Sequence, residues 1–149
     1  MRAGTENAPA IAGFGVAARL AGDDLPAYAR IEALRDAMET RLVAISPNSR
    51  IFGKDAKRLP NTSQISMPGV ASETQVIALD LDGVAVSAGS ACSSGRVETP
   101  RVLTAMGVDE ATASSAIRIS LGWNTVAADI DRLVASWGAL YQRAARKAA

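Results

Sequence analysis

Apolar residues recur at Ile31, Leu34, Met38, Leu42 and Ile45, three or four apart with charges between them, a spacing that predicts one face of a helix. Before it, Asn7 and Pro9 suit a helix start, and "AIAGFGVAARLAG" reads as a Gly/Ala-rich helix ending near Gly22. "ISPNSRIFGK" predicts a turn and a short strand, and "NTSQISMPG" a second strand closed by Pro68-Gly69. Ser72-Glu73-Thr74-Gln75 fits a capping box, with Ser72 as the cap and a helix running to Gly83. "VAVSAG" follows as a strand with Val84 and Val86 on one face. Thr99-Pro100 predicts a helix start with Pro at the first position, and Gly107 its stop.

The period changes once more near the end. In "AIRISLG" the residues Ile117, Ile119 and Leu121 alternate with Arg118 and Ser120, as on a strand with one buried face. A last helix from about Ala128 carries Ile130, Leu133, Val134, Trp137, Leu140 and Tyr141 on one stripe. The order is helix, helix, strand, strand, helix, strand, loop, helix, strand, helix. It predicts an α/β fold in which short strands form one small sheet with helices packed on it. The Ala/Gly-rich first helix is expected to stand off from that sheet, and residues 1–46 read mainly as connecting helices. The Gly and Ser content between about Gly89 and Glu98 predicts a loop with few pinning contacts.

A chain of 149 residues, 48% hydrophobic and 21% charged, is sized for one domain with a real core. At 4% aromatic, that core must lean on Ala, Val, Leu and Ile. The net charge of +1 supplies no electrostatic case for nucleic acid or an acidic membrane. No apolar run is long enough to span a bilayer, and the first residues lack a signal-peptide pattern, so the cytoplasm is the expected location. The absences bear most on chemistry. One cysteine forms no internal disulfide and fits no zinc pattern built on paired thiolates, so no metal site is expected. Zero histidines exclude a Cys-His dyad or a Ser-His-Asp triad within the chain.

Three residues are candidates for chemistry. Cys92 lies in "SAGSACSSG", a stretch of small residues directly after a predicted strand, where a thiol is presented rather than packed away. The competing reading is a small buried apolar residue. Arg118 stands opposite three aliphatic residues on its strand; lining a cleft, its guanidinium would suit bidentate capture of a carboxylate, and otherwise it is an exposed charge on an edge strand. Thr5, in "RAGTEN", offers a hydroxyl and backbone amides to a phosphate, or serves as an ordinary helix cap.

In order and spacing, "RAGTEN", "VSAGSACSSGRVETPRVL" and "AIRISLG" resemble the C-terminal part of a NifS/IscS-type cysteine desulfurase, a pyridoxal-phosphate enzyme of the class V aminotransferase family and fold type I. The resemblance covers essentially the whole chain. The family's pattern is close to S-S-G-S-A-C, a flexible segment, then E-P-S-x-V-L; here Ala88 replaces the second Ser, and Thr99 and Arg101 depart from the later motif. The resemblance implies that Cys92 takes the substrate sulfur as a persulfide and that Arg118 binds the α-carboxylate of L-cysteine. It implies that Thr5 helps hold the phosphate of pyridoxal 5'-phosphate across a dimer interface, and that a sulfur-acceptor or scaffold protein is a partner. The family's Schiff-base lysine lies in a Ser-x-His-Lys motif upstream of "RAGT", and Lys54, Lys57 and Lys147 sit in no such context. Residues 1–149 are therefore expected to be the small C-terminal domain with its connecting helices, the large cofactor-binding domain being absent and Met1 an internal start. Alone, such a chain would be inactive. The rival readings are a persulfide-carrying or partner-binding module without catalysis, and a class V relative such as an aminotransferase or a selenocysteine lyase.

Overall fold

The structure, a computed structural model, describes residues 4, 6–89 and 100–148. In chain order the elements are α1 (Ala8–Asp23), a 3-10 turn (Leu25–Ala27), α2 (Tyr28–Ile45), β1 (Thr62–Ser66), α3 (Ser72–Leu81), β2 (Ser87–Ala88), α4 (Arg101–Ala105), α5 (Glu110–Ser114), β3 (Ala116–Ser120) and α6 (Ala127–Ala148). Most of the predicted 89–98 loop lies outside the described residues. The α/β arrangement of the sequence reading is the one found, with a three-stranded antiparallel sheet in the order β1-β3-β2.

Asn7 caps α1, its Oδ1 accepting from the Ala10 amide at 3.1 Å, and Pro9 occupies the first turn. No residue of α1 is buried, and Ile11, Phe14, Val16 and Leu20 are exposed, so this helix stands clear of the core as expected. The next helix, α2, buries Ile31, Met38 and Leu42, but also Arg35 and Glu39, two of the charges expected between the apolar positions. Both have partners from the segment after the helix. Arg58 forks onto the two Glu39 oxygens at 2.7 Å each, while Arg35 donates to the Leu59 carbonyl at 2.8 Å and to Asp36. Burial of charge is tolerated here because each group is paired and hydrogen-bonded.

The main core lies between the sheet and helices α2, α3 and α6, built from residues such as Met38, Leu42, Ile65, Leu79, Ile117, Leu133 and Trp137. Helices α2 and α6 approach closely where Gly138 lies; a Cβ there would stand 3.2 Å from Ile45 Cδ1. A second, smaller cluster of Phe52, Leu103, Val108, Ala113 and Ala116 packs α4 and α5 near the other side of β3.

Four predicted details are corrected by the structure. "VAVSAG" is not a strand throughout: only Ser87–Ala88 pair with β3. Gly83, at φ 75°, ends α3 in a Schellman turn in which the Gly83 amide donates to Asp80 at 2.9 Å and the Val84 amide to Leu79 at 2.8 Å, so Val84 is committed to the helix end. Gly107 ends α4 in the same way, with Val108 packing back beside Leu103. "ISPNSRIFGK" contributes a single bridge, Ile51 to Ile65, rather than a strand. The capping box at Ser72 is not formed either. The cap position is Ala71, Ser72 is the first helical residue, and Gln75 turns inward and is fully buried. Its Nε2 donates to the Val70 carbonyl at 2.9 Å and the Ser115 carbonyl at 2.6 Å, which ties the entry of α3 to the start of β3. Pro100 takes the cap position of α4, one place before the predicted first helical position. The short α5 went unpredicted; Asp109 caps it, and hydrogen bonds from Thr112, the backbone amide first, hold its carboxyl below the usual carboxylate range.

Because Gln75 joins two segments through otherwise buried carbonyls, Gln75→Ala should cost about 1–3 kcal/mol, the range for stranding buried polar groups. Urea unfolding with an unchanged slope and a lowered midpoint is the expected reading. A midpoint equal to that of the parent chain would show that the cross-link contributes nothing.

Candidate site on the open face of the sheet

Burial decides where Arg118 points. Ile117 and Ile119 lie in the core, so strand alternation turns Arg118 to the opposite face, where it is exposed. The prediction that Arg118 and Ile117 occupy different faces is met. Register then sets the neighbours: Gln64 of β1 and Ser87 of β2 are both directly opposite Arg118. Side chains so paired share a face with Cβ atoms roughly 4.5–5.5 Å apart. Thr62 pairs with Ser120 one step along, so this face is polar around the guanidinium, whereas Ala116 at its other end joins the small apolar cluster.

Among the described residues no carboxylate pairs with Arg118; the ion pairs found are those of Arg35, Arg41 and Arg58. An uncompensated guanidinium between an amide and a hydroxyl can accept a carboxylate by charge and by paired N–H donation. Cys92 and Thr5 lie outside the described residues, so the structure places Arg118 alone of the three candidates. In sequence, Cys92 follows Ser87 by five residues, a span that reaches at most about 18 Å. Gln64 and Ser87 were not singled out from the sequence. The alternation of each strand was readable, but the register that brings them together depends on pairing between distant segments.

Pyridoxal phosphate requires a lysine whose amine can lose its proton in a shielded pocket. Lys54 and Lys57 are exposed at an open cleft of about 700 Å³ that also carries Glu32, Asp36, Glu39, Arg35 and Arg58, so neither amine is shielded from water. Neither lysine belongs to the row containing Arg118. These residues do not fit the covalent anchoring of that cofactor, whereas the Arg118 row fits recognition of a carboxylate. Among the described residues there is no cluster of three or more His, Cys, Asp or Glu able to hold a metal, and no helix long and apolar enough to cross a membrane.

Comparison with known proteins places this geometry in a family. The model of the family described as aminotransferase class-V matches residues 1–133. The chain is 45% identical over 134 residues to a cysteine desulfurase of Cereibacter sphaeroides, covering 89% of this chain and 34% of the relative. It is 38% identical over 134 residues to the cysteine desulfurase NifS of Azotobacter vinelandii, covering 89% of this chain and 33% of that protein. A solved NifS-like protein from Rickettsia africae superposes with a TM-score of 0.80 at 37% identity, over 95% of this chain and 36% of the other. The chain thus spans about a third of the length of the curated relatives it matches. With a family model covering most of its residues and a shared fold at this level of identity, the chain belongs to the class-V aminotransferase family, on its NifS-like side.

Proposed function

We propose that residues 1–149 form the small C-terminal domain, with connecting helices over residues 1–46, of a cysteine desulfurase acting in the cytoplasm. The observation that carries this reading is Arg118, on a polar sheet face and without an ion-pair partner among the described residues, joined through β2 to the segment that bears the single cysteine. The overall reaction is L-cysteine plus the Cys92 thiol giving L-alanine plus a Cys92 persulfide. The substrate C–S bond breaks, an S–S bond to Cys92 forms, and the thiol proton is balanced by the new C–H bond of alanine. In this family pyridoxal phosphate supplies the carbanion chemistry when bound. Its lysine, and the residues around its ring, would come from outside this chain, in a homodimeric enzyme. Within this chain, Thr5 would contribute to the phosphate site, Arg118 would hold the substrate carboxylate, and Cys92 would carry sulfur to an acceptor protein for iron-sulfur cluster or thio-cofactor assembly.

Two measurements test the reading. Joined to the large domain of a NifS-type relative, the chain should restore conversion of L-cysteine to L-alanine, with one persulfide on Cys92. A fusion that binds pyridoxal phosphate yet yields neither product would overturn the assignment. By itself, the chain mixed with pyridoxal phosphate and borohydride should show no stoichiometric reduced adduct on any lysine, because Lys54 and Lys57 are exposed and lie in no enclosed cofactor pocket. A single fully modified lysine by peptide mass would show that the chain anchors the cofactor unaided.

A further inference from the structure

We infer that Gln64 and Ser87 are substrate-binding residues that flank Arg118 and, with it, form a three-residue seat for the carboxylate of a small α-amino acid. The inference rests on the reading of Arg118 as the carboxylate anchor and adds two residues from different strands. The register is the first observation: Gln64 of β1 and Ser87 of β2 are both Cα partners of Arg118, one on each side of β3. They therefore form a single row on the open face, and β3 carries the cation at its centre.

The second observation is what these side chains lack. Gln64 and Ser87 are half-buried, yet among the described residues neither side chain has a hydrogen-bond partner, whereas the Gln75 amide nitrogen and the Ser115 hydroxyl elsewhere both donate to carbonyls. The row also contains no carboxylate, so nothing within it neutralises the guanidinium. Chemistry then selects the ligand. Arg118 offers a planar fork of N–H donors, Gln64 an amide NH₂ and Ser87 a hydroxyl, so all three can donate to the same anionic oxygens. A carboxylate has about four lone-pair sites and can accept from the fork and both flanks at once. A cationic amine would be repelled by Arg118.

The test uses the whole 149-residue chain, labelled for NMR and titrated with L-alanine and, separately, with ethylamine, which lacks the carboxylate. L-alanine should shift the Arg118 Nε–H, the Gln64 side-chain amide and the Ser87 backbone amide along one isotherm, while ethylamine shifts none of them. Gln64→Ala and Ser87→Ala should each weaken L-alanine binding about fivefold, within the range for one hydrogen bond to a charged or polar group. Gln64→Glu is nearly isosteric and should weaken it more than tenfold, because the new carboxylate occupies the guanidinium. Arg118→Ala should abolish the shifts altogether. If L-alanine moves Arg118 while Gln64→Ala, Gln64→Glu and Ser87→Ala all bind as the parent does, the three-residue seat is wrong and the Arg118 reading stands. If the Arg118 signal does not respond to L-alanine at all, the reading beneath it falls as well. A matching response to ethylamine overturns carboxylate recognition in the same way.

Discussion

Replacing Cys92 by serine should abolish persulfide formation completely while leaving cofactor loading and L-cysteine binding intact in the enzyme completed with a large domain. The change swaps one chalcogen for another at nearly constant shape, so folding is not at issue. The chemistry is. Sulfur transfer needs a nucleophile that attacks sulfur and then keeps it through an S–S bond, and the thiolate does both. A serine hydroxyl is almost wholly protonated near neutral pH and is a far poorer nucleophile toward sulfur. With no histidine and no second cysteine anywhere in the chain, no neighbouring group here can substitute. The measurement pairs intact mass after exposure to L-cysteine with the absorbance of the bound cofactor. Persulfide on the serine variant, or sulfur transfer to an acceptor at the parent rate, would remove Cys92 from its role.

What could be read beforehand followed from local periodicity. The alternation in "AIRISLG" puts Ile117 and Ile119 on one face and Arg118 on the other, and the strand pairs as that pattern requires. The stripe from Ile130 to Leu140 became the buried face of α6 for the same reason. Failures came where a residue is served by something far along the chain. Glu39 and Arg35 look like solvated helix charges until Arg58 and the Leu59 carbonyl arrive from the following segment. Gln75 looks like a capping residue until the Ser115 carbonyl, forty residues on, offers a buried partner. The candidate site divides along the same line. Arg118 could be picked out because its own strand singles it out, whereas Gln64 and Ser87 acquire meaning only when β1 and β2 close on β3. The roles of Cys92 and Thr5 came from motif resemblance, since neither periodicity nor spacing assigns chemistry to a lone thiol or hydroxyl.

Trp137→Ala should be the most damaging single core truncation, costing about 3–5 kcal/mol, the range for a buried aromatic cut to alanine. Trp137 is fully buried in α6, and its ring stacks on Tyr141 with centroids 6.1 Å apart and planes 7° from parallel. The chain has only six aromatic residues, and among the described residues Trp137 is the one aromatic in the buried part of the main cluster, so aliphatic neighbours would have to fill the space it leaves. One term opposes the loss: its Nε1 is buried without a partner, and removing it relieves a penalty of about 1–3 kcal/mol. Packing exceeds that relief, so the net effect remains strongly destabilising. The same balance predicts a contrast. Trp137→Phe keeps most of the ring and removes the orphaned donor, so it should cost less than half as much as alanine. Trp137 shares its cluster with Ile117 and Ile119, the residues whose burial turns Arg118 outward, so loosening this core should also weaken carboxylate binding at Arg118. Urea unfolding of both variants provides the measurement, with L-alanine titration of Arg118 as its functional counterpart. A loss below about 1 kcal/mol for alanine, or a phenylalanine variant as unstable as alanine, would mean that packing around Trp137 does not hold the sheet in place.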